Sequence, residues 1–405
     1  MPNQRTSRVP GPSCMAHVAL SNWIPNGSNP ITSRDVRTYT QISQNISPVP
    51  KSKSGGRGRA SQFPIFSSTC SYFIGIPHIF SDEATEMIGF IQGEIAGEKL
   101  VAGDVFPKTL MPAAASGGDL ANLVLEEREH LFADLRRHRA LLFRGFDVSD
   151  AGDFHRAVEA FRWEAIEMKS SASTRTKITS RVYSANEAPP EQLINFHHEM
   201  PLMTEMPRML FFCCGEPSPQ GGETAIVASD VVVQRMDERM PEVMAKVAEV
   251  GLVFSIKTAS DAEAADSETV VNRTWKSLLG TDDETEAEKR LLEMHESCSS
   301  VKFLSNGSAE LVFGPTNPVR EFSGRRAWIY PILGFAGDRR SVKNEFGDGS
   351  DFPAEALDVY RRILEENCVD VNWQKGDVLL LDNLAVQHAR RPGKPPRRIL
   401  ASLCK

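Results

Sequence analysis

The chain has 405 residues, of which 41% are hydrophobic and 24% are charged, and its formal net charge is −7. These values are typical of a soluble globular protein, and the length allows one large domain or two ordinary ones. The negative charge argues against a nucleic-acid-binding surface, and no apolar run approaches the roughly 20 residues that a membrane span needs.

The first 74 residues differ in composition from the rest of the chain. They are rich in Ser, Pro, Asn, Gly and Arg, and Asp35 is their only acidic residue. A segment with so little to bury does not pack a core, and an Arg-rich, Ser-rich, acid-poor composition is also typical of an organelle transit peptide. We therefore predict a disordered or transit-like extension over 1–74 and a globular domain over 75–405.

The chain contains seven cysteines, an odd number, and they form no C-x-x-C pair. Reduced thiols in an intracellular compartment account for this most simply, and we find no secretory signal peptide. We expect a cytoplasmic protein, or one of the chloroplast or mitochondrion if the extension is a transit peptide. The oligomeric state is left open.

Apolar spacing predicts three helices and one strand in the first part of the domain. The expected helices span 82–98, 119–138 and 150–161, and the expected strand spans 140–146. In the first helix, the apolar residues from Met87 to Ile95 would fall on one side. His130, His138 and His155 lie in or beside these helices, and we interpret them as packing or surface residues.

The second part of the domain contains more strands. A polar run over 164–194 is expected to be extended, and an acidic insertion over 257–300 contains Thr281-x-x-Glu284, a capping box for a solvated surface helix. The further expected strands lie at 209–214, 225–227, 378–381, 399–403 and within 301–331, and the further helices at 229–250 and 351–367. Helices around short strands indicate an α+β architecture with a β core.

Three residues in this part of the chain suit a metal ion. In an extended segment side chains alternate between faces, so His197 and Glu199 point the same way, and His388 follows the strand at 378–381. Two imidazoles and one carboxylate form the facial triad of non-haem Fe(II) oxygenases. A zinc helix of the H-E-x-x-H type beginning at His198 is excluded, because position 202 is Leu and Pro201 would break the helix.

A third motif makes the pattern specific. Gly221-Gly222-Glu223-Thr224 follows the H-x-E motif, and an arginine pair at 397–398 follows His388. This set resembles the taurine catabolism dioxygenase family, and within it the plant clavaminate synthase-like proteins. The resemblance covers roughly residues 75 to 405, including RVYSANEAPPEQ at 181–192, WKS at 275–277 and FGDG at 346–349. It implies a double-stranded β-helix (jelly-roll, cupin-like) core with flanking helices.

The resemblance also implies an activity and its cofactors. Members are Fe(II)- and 2-oxoglutarate-dependent dioxygenases, which use O2 and release succinate and CO2. Ascorbate can keep their iron in the Fe(II) state. His197, Glu199 and His388 match the iron ligands. Arg398 matches the arginine that binds the far carboxylate of 2-oxoglutarate, and Thr224 matches the hydroxyl beside it. 

Arg397 would face the opposite side of the strand from Arg398 and is expected to be structural. The usual outcome in the family is hydroxylation of a small molecule, and the carboxylate ligand Glu199 disfavours halogenation. The segment 181–192 is a candidate substrate wall, with Arg181, Asn186 and Glu187 as candidate contacts. Ser402 stands where taurine dioxygenase has its sulfonate-binding arginine, so taurine is not the expected substrate.

Two other classes of function fit parts of the pattern. A binding or sensor protein could keep a jelly-roll core without turnover, although an intact triad with Thr224 and Arg398 argues against it. A non-redox metal hydrolase could use the same core, but it would need no arginine for 2-oxoglutarate. Formation of succinate from iron, ascorbate and 2-oxoglutarate alone would distinguish an oxygenase from both.

Deletion of residues 1–70 tests the predicted domain boundary. We expect the truncated protein to remain folded and active, because the deleted segment has too little apolar content to join a core. Circular dichroism and succinate release would be compared with those of the full chain. Loss of folding would show that the segment is part of the domain.

Overall fold

The computed structural model describes residues 87–405 except for 115–116, 168–174, 186–187, 266–273 and 336–341. The predicted extension over 1–74 therefore lies outside the described residues. Those that are described fall in one structural unit, Phe80–Lys405. None of the helices in this part of the chain is long and apolar enough to cross a membrane.

Helices and short strands alternate along the described residues. The helices are α1 (Leu120–His138), α2 (Ala151–Ala160), α3 (Ser229–Arg239), α4 (Pro241–Val250), α5 (Asp261–Ala265), α6 (Trp275–Leu279), α7 (Glu284–Met294) and α8 (Ala354–Asn367). The first strands are β1 (Phe90–Gly93), β2 (Lys99–Val101), β3 (Asp104–Phe106), β4 (Lys108–Pro112), β5 (Ala140–Phe143), β6 (Tyr183–Ser184), β7 (Ile194–His197), β8 (Met209–Glu216) and β9 (Thr224–Ala228). The remaining strands are β10 (Leu252–Lys257), β11 (Cys298–Phe303), β12 (Ala309–Thr316), β13 (Val319–Phe322), β14 (Arg325–Trp328), β15 (Val342–Phe346), β16 (Val369–Val371), β17 (Val378–Asp382), β18 (Val386–Arg390) and β19 (Arg398–Cys404).

Two sheets form the core of the fold. A seven-stranded sheet has the order β1-β4-β5-β17-β8-β19-β6, and a four-stranded sheet has the order β16-β9-β18-β7. Neighbouring strands are antiparallel except for β4 and β5. Phe212, Leu379 and Ile399 of the large sheet share one buried cluster with Ile226 and Val386 of the small sheet. The α+β class and the jelly-roll core expected from the sequence are confirmed.

Each sheet has a second, covered face. Leu131 of α1 and Phe154 of α2 pack with Phe211 on the outer side of the large sheet. On the outer side of the small sheet, Val233 of α3 and Tyr360 of α8 pack in one buried cluster with residues of that sheet's strands. Strands buried on both faces read as continuous apolar runs in sequence. A further sheet, β11-β12-β10-β15, and the ribbons β13-β14 and β2-β3 complete the architecture.

The predicted helix at 119–138 is confirmed in detail. Asp119 caps α1, its carboxylate accepting hydrogen bonds from the amides of Ala121 (2.9 Å) and Asn122 (3.3 Å), as expected of an N-terminal Asp. Leu131 and Leu135 are buried on the side that faces the sheet. The helix ends at Arg139, whose φ of 66° is left-handed. The predicted helices at 150–161 and 351–367 and the strand at 378–381 are also present, as α2, α8 and β17.

The predicted helix at 82–98 is wrong over the residues that the structure describes. Phe90–Gly93 forms β1 and pairs with β4. Ile88 and Ile91, which were expected on the buried side, are 74% and 51% exposed. Strand pairing prevails here over weak helical spacing, because Gly89 and Gly97 adopt positive φ and interrupt any helix.

Two helix boundaries also differ from the prediction. The single helix expected at 229–250 is two helices, since Pro241 occupies the first turn of α4 and begins a new helix after Met240. The capping box at Thr281 is not used. Asp283 caps α7 instead, its carboxylate accepting from the amide of Glu286 at 2.8 Å.

Candidate active site

Strand β18 places His388 in the interior between the two sheets. It lies between β9 and β7, and its register puts His388 opposite both Ile226 and His197. Side chains directly opposite one another on neighbouring antiparallel strands are in contact. The rings of His197 and His388 accordingly have centroids 4.3 Å apart.

Glu199 completes a group of three ligands immediately after β7. The candidate ligand atoms of His197, Glu199 and His388 all lie within 4.8 Å of one another, and the described residues contain no other such group of three His, Cys, Asp or Glu. Glu199 and His388 are buried, and His197 is half-buried. Two imidazoles and one carboxylate on a shared face suit a non-haem Fe(II) ion with open coordination positions.

The ring nitrogens of both histidines fit a metal ion. His197 Nδ1 donates to the Asn195 carbonyl at 2.7 Å, which leaves Nε2 unprotonated and able to bind a metal. His388 Nε2 lies 3.6 Å from Glu199 Oε2. His388 Nδ1 is buried and has no hydrogen-bond partner among the described residues, so no competing hydrogen bond to that nitrogen fixes the ring.

The electrostatics of His197 and Glu199 favour the forms that bind a cation. Burial, with a smaller contribution from His388, lowers the pKa of His197 to about 3. Burial alone would raise the pKa of Glu199, but Arg175, His388 and His197 together lower it well below its usual range. A neutral imidazole beside an ionised carboxylate is the state that metal binding requires.

Asn383 fixes the position of Glu199, a role that the sequence analysis missed. Its side-chain oxygen accepts from the Glu199 amide at 2.7 Å, and its side-chain nitrogen donates to the carbonyls of Glu199 (3.1 Å) and Pro207 (2.7 Å). His198 faces the other way, as expected, and its Nδ1 donates to the Asn383 carbonyl at 2.5 Å. In the sequence, Asn383 is recognisable only as a turn residue.

A buried cationic site lies farther along the same interior. Arg390 is the register partner of Thr224, and it donates to the carbonyls of Ala188, Pro189 and Gln192. Burial lowers the pKa of Arg390 to about 10. Its hydrogen bonds hold the chain at 188–192 against β18.

Arg397 is a second cation of this region, and it is half-buried. Burial, and next the nearby Arg390, lowers its pKa to about 10, so the guanidinium stays protonated near neutral pH. Its Nε donates to the Gly222 carbonyl at 2.8 Å, and among the described residues it has no carboxylate partner. A planar guanidinium with unused N–H groups suits a carboxylate ligand.

The two arginines lie on the opposite faces from those expected. We expected Arg398 to face the interior and Arg397 to face away, but Arg398 is exposed at the start of β19, whereas Ile399, Ala401 and Leu403 face the interior. Arg397 directly precedes β19, and its bond to the Gly222 carbonyl and its proximity to Arg390 place it on the interior side. Because β19 is buried on both faces, its apolar pattern carries no information on which residues point inward.

The glycine pair before Thr224 has a physical explanation. Gly222 has a φ of +76°, and a Cβ there would lie 2.7 Å from Ser218 Cβ and 3.1 Å from Arg397 Cδ. Only glycine allows the Arg397 side chain to pass this closely and bond to the Gly222 carbonyl. The glycine pair therefore lets Arg397 bond to the main chain two residues before Thr224.

Within the part of the chain that it describes, the structure does not bring the three candidate substrate contacts together at the metal-type site. The guanidinium of Arg181 donates to the Trp163 carbonyl and lies 3.9 Å from Cys404 Sγ. Cys404 belongs to the cluster on the helix-covered side of the large sheet, so Arg181 lies on the opposite side from the metal ligands. Asn186 and Glu187 lie outside the described residues.

Arg175 is a further residue that the sequence analysis did not single out. Its Nη2 lies 2.7 Å from Glu199 Oε1, and both side chains are almost fully buried. It falls in the polar run at 164–194, where the sequence offers no signal that distinguishes it from the other polar residues.

Comparison with known proteins identifies the family. Residues 105–404 match the model of the family described as taurine catabolism dioxygenase TauD, TfdA family. The chain belongs to this family. A clavaminate synthase-like protein of Arabidopsis thaliana is 39% identical over 308 residues, which cover 74% of this chain and 92% of that protein. 

More distant relatives match as well. The dapdiamide synthesis protein DdaC of Enterobacter agglomerans is 24% identical over 284 residues, covering 65% of this chain and 81% of that protein. The crystal structure of PvcB from Pseudomonas aeruginosa is similar with a TM-score of 0.45 and 16% identity, covering 78% of this chain and 91% of PvcB. As a member of the TauD, TfdA family, the chain is a 2-oxoglutarate-dependent non-haem iron dioxygenase, with Fe(II) and 2-oxoglutarate as its cofactors.

Replacement of Asn383 tests how this dioxygenase positions Glu199, the candidate carboxylate ligand. Asn383→Ala leaves the Glu199 amide, the Glu199 carbonyl and the Pro207 carbonyl without partners. Each unsatisfied buried group costs about 1–3 kcal/mol, so we expect a loss of at least about 2 kcal/mol in the free energy of unfolding, together with weaker Mn(II) binding. Urea unfolding and Mn(II) titration would measure the two effects.

Asn317→Ala is the matched control for this variant. Asn317 is exposed and accepts one hydrogen bond, from the Val319 amide at 2.9 Å. Its replacement should cost less than about 1 kcal/mol and leave Mn(II) binding unchanged. Equal stability and equal metal affinity of the two variants would show that Asn383 does not position Glu199.

Proposed function

We propose that this dioxygenase hydroxylates a small-molecule substrate, with Fe(II) held by His197, Glu199 and His388 and the far carboxylate of 2-oxoglutarate held by Arg397 and Thr224. The proposal depends on one observation: a candidate metal site and a candidate carboxylate site both lie between the two core sheets. The candidate ligand atoms of three residues lie within 4.8 Å of one another, and Arg397, a half-buried arginine without a carboxylate partner among the described residues, bonds to Gly222 just before β9.

The separation of the two sites suits the length of 2-oxoglutarate. On β9, Ile226 lies opposite His388, and Thr224 lies opposite Arg390. Two residues along a strand span about 7 Å. A five-carbon dicarboxylate that binds the metal through its keto acid end would place its other carboxylate at the level of Thr224.

Trp373 supports this role for Thr224. Its indole nitrogen donates to Thr224 Oγ1 at 3.1 Å, and both side chains are buried. An indole N–H is a donor only, so the hydroxyl hydrogen of Thr224 remains available to donate to another group. A carboxylate oxygen held by Arg397 would accept it.

When bound, Fe(II), 2-oxoglutarate and O2 supply an oxidative decarboxylation that yields succinate and CO2 and oxidises a C–H bond of the substrate. The residues of the chain position these reactants and exclude water. Phe212 packs against His388 with ring centroids 5.3 Å apart, and Phe335 packs edge-on against His197 at 5.5 Å. These rings give the metal centre an apolar border on two sides.

The interior argues against a sulfonate substrate held as in taurine dioxygenase. Ser402 faces away from the interior side that contains Ala401 and Leu403. If Arg397 takes the place expected for Arg398, the fourth residue after it is Ala401, which also lacks a charge. The contacts proposed for Asn186 and Glu187 stay predictions, and Arg181 is not retained as a substrate contact.

The choice between the two arginines can be measured directly. Titration of 2-oxoglutarate into the anaerobic Fe(II) protein gives a Kd from the metal-to-ligand charge-transfer band. A hydrogen bond to a charged group contributes about 1.5–3 kcal/mol, and ~1.4 kcal/mol is a factor of ten. Arg397→Ala should therefore raise the Kd at least about tenfold, and Thr224→Val should raise it less.

Arg398→Ala is the matched control, because the residue is adjacent and exposed. Its Kd should stay close to that of the unmodified protein. The opposite result would be weaker 2-oxoglutarate binding by Arg398→Ala and an unchanged Kd for Arg397→Ala. It would restore the assignment of Arg398 that was expected from the sequence. If no charge-transfer band formed in the unmodified protein, the hydrolase and sensor alternatives would gain support.

A further inference from the structure

Arg175 contacts the carboxylate ligand of the metal centre. Its Nη2 lies 2.7 Å from Glu199 Oε1, and the side chains of the two residues are 9% and 7% exposed. A charge-assisted hydrogen bond of this length in a buried setting is among the stronger polar contacts in a protein. Nη2 of Arg175 therefore bonds to Oε1 of Glu199 in a setting that is largely shielded from solvent.

The two oxygens of Glu199 have different surroundings. Oε1 accepts from Arg175, whereas Oε2 faces His388 Nε2 at 3.6 Å. The main chain of Glu199 is fixed at the same time by the side chain of Asn383. The rotation of the carboxylate is thus constrained, with one oxygen turned toward the arginine and the other toward the histidines.

We propose that Arg175 is a positioning residue that keeps Glu199 a one-oxygen ligand of the metal. The inference rests on the proposed function, in which Glu199 binds Fe(II). The triad would leave open positions on the metal, and a chelating 2-oxoglutarate would need more than one of them. By holding Oε1, Arg175 prevents the carboxylate from taking a second position and preserves the place where the keto acid binds.

This role separates metal binding from co-substrate binding. Without Arg175, both oxygens of Glu199 can reach the metal, so the metal itself should remain bound at least as well. The chelating co-substrate then competes with Oε1 for a coordination position and binds more weakly. Loss of an outer contact to a metal ligand typically costs 10–100-fold in metal affinity or activity, and here we expect the loss in co-substrate affinity, because the metal gains the second oxygen of Glu199.

Calorimetric titration of the Mn(II)-loaded protein tests the proposal without turnover. The variants are Arg175→Met, which removes both charge and donors, and Arg175→Lys, which keeps a charge and a donor. Lys177→Met is the control, because Lys177 lies two residues away and forms an exposed ion pair with Glu167. The probes are Mn(II), 2-oxoglutarate and glutarate, which has the same two carboxylates but no keto oxygen.

For Arg175→Met, we expect an unchanged or lower Kd for Mn(II), a Kd for 2-oxoglutarate raised about tenfold or more, and a nearly unchanged Kd for glutarate. Arg175→Lys should recover most of the affinity for 2-oxoglutarate, and Lys177→Met should behave as the unmodified protein. If Arg175→Met does not fold, the affinity of Arg175→Lys relative to Lys177→Met still tests the proposal, with a modest loss expected for 2-oxoglutarate alone.

Three results would overturn the inference. One is an unchanged affinity of Arg175→Met for 2-oxoglutarate, and another is an equal loss for glutarate, which would mean that Arg175 contacts the ligand directly. The third is a weakened Mn(II) site with normal 2-oxoglutarate binding. Failure of the unmodified Mn(II) protein to bind 2-oxoglutarate would instead contradict the proposed function.

Discussion

The active site depends on one constraint, the register of β18 between β9 and β7. That register places His388 opposite His197 on one side and Ile226 on the other. A slip of one residue would turn His388 out of the interior and bring in Gln387. Gln387 opposes such a slip from the other face, where it bonds to Ser229, the Trp328 carbonyl and Tyr360. The candidate metal site is therefore a consequence of strand pairing that is secured on both faces of the small sheet.

The charged residues of the interior differ in the partners that compensate their charge. Glu199 is paired with Arg175, and Arg390 is satisfied by backbone carbonyls of the chain at 188–192. Arg397 has one carbonyl partner, at Gly222, and no carboxylate among the described residues. A half-buried guanidinium with unused N–H groups is suited to an anionic ligand. The interior thus combines three compensated charges, on Glu199, Arg175 and Arg390, with one on Arg397 that could accept an anionic ligand.

The sequence was informative where a residue type is tied to a chemical role or to a strong local pattern. The H-x-E pair, His388, the G-G-E-T motif and helix α1 could be predicted on that basis. The inward face of β19 could not, because both faces of that strand are buried and Arg397 and Arg398 are adjacent. Arg175 and Asn383 reach Glu199 across 24 and 184 residues of chain, and no local pattern reports such contacts. At 82–98, helical spacing was outweighed by pairing of β1 with β4, which is a tertiary interaction.

The most direct test of the account is the conversion of 2-oxoglutarate by the Fe(II)-loaded protein under O2, without added substrate. Succinate and CO2 should form slowly and in equal amounts with the unmodified protein, and neither should form with His388→Ala or Glu199→Ala. Retention of this conversion by His388→Ala would contradict the assignment of the metal centre. No conversion by the unmodified protein, with hydrolytic activity supported by zinc instead, would contradict the oxidative function.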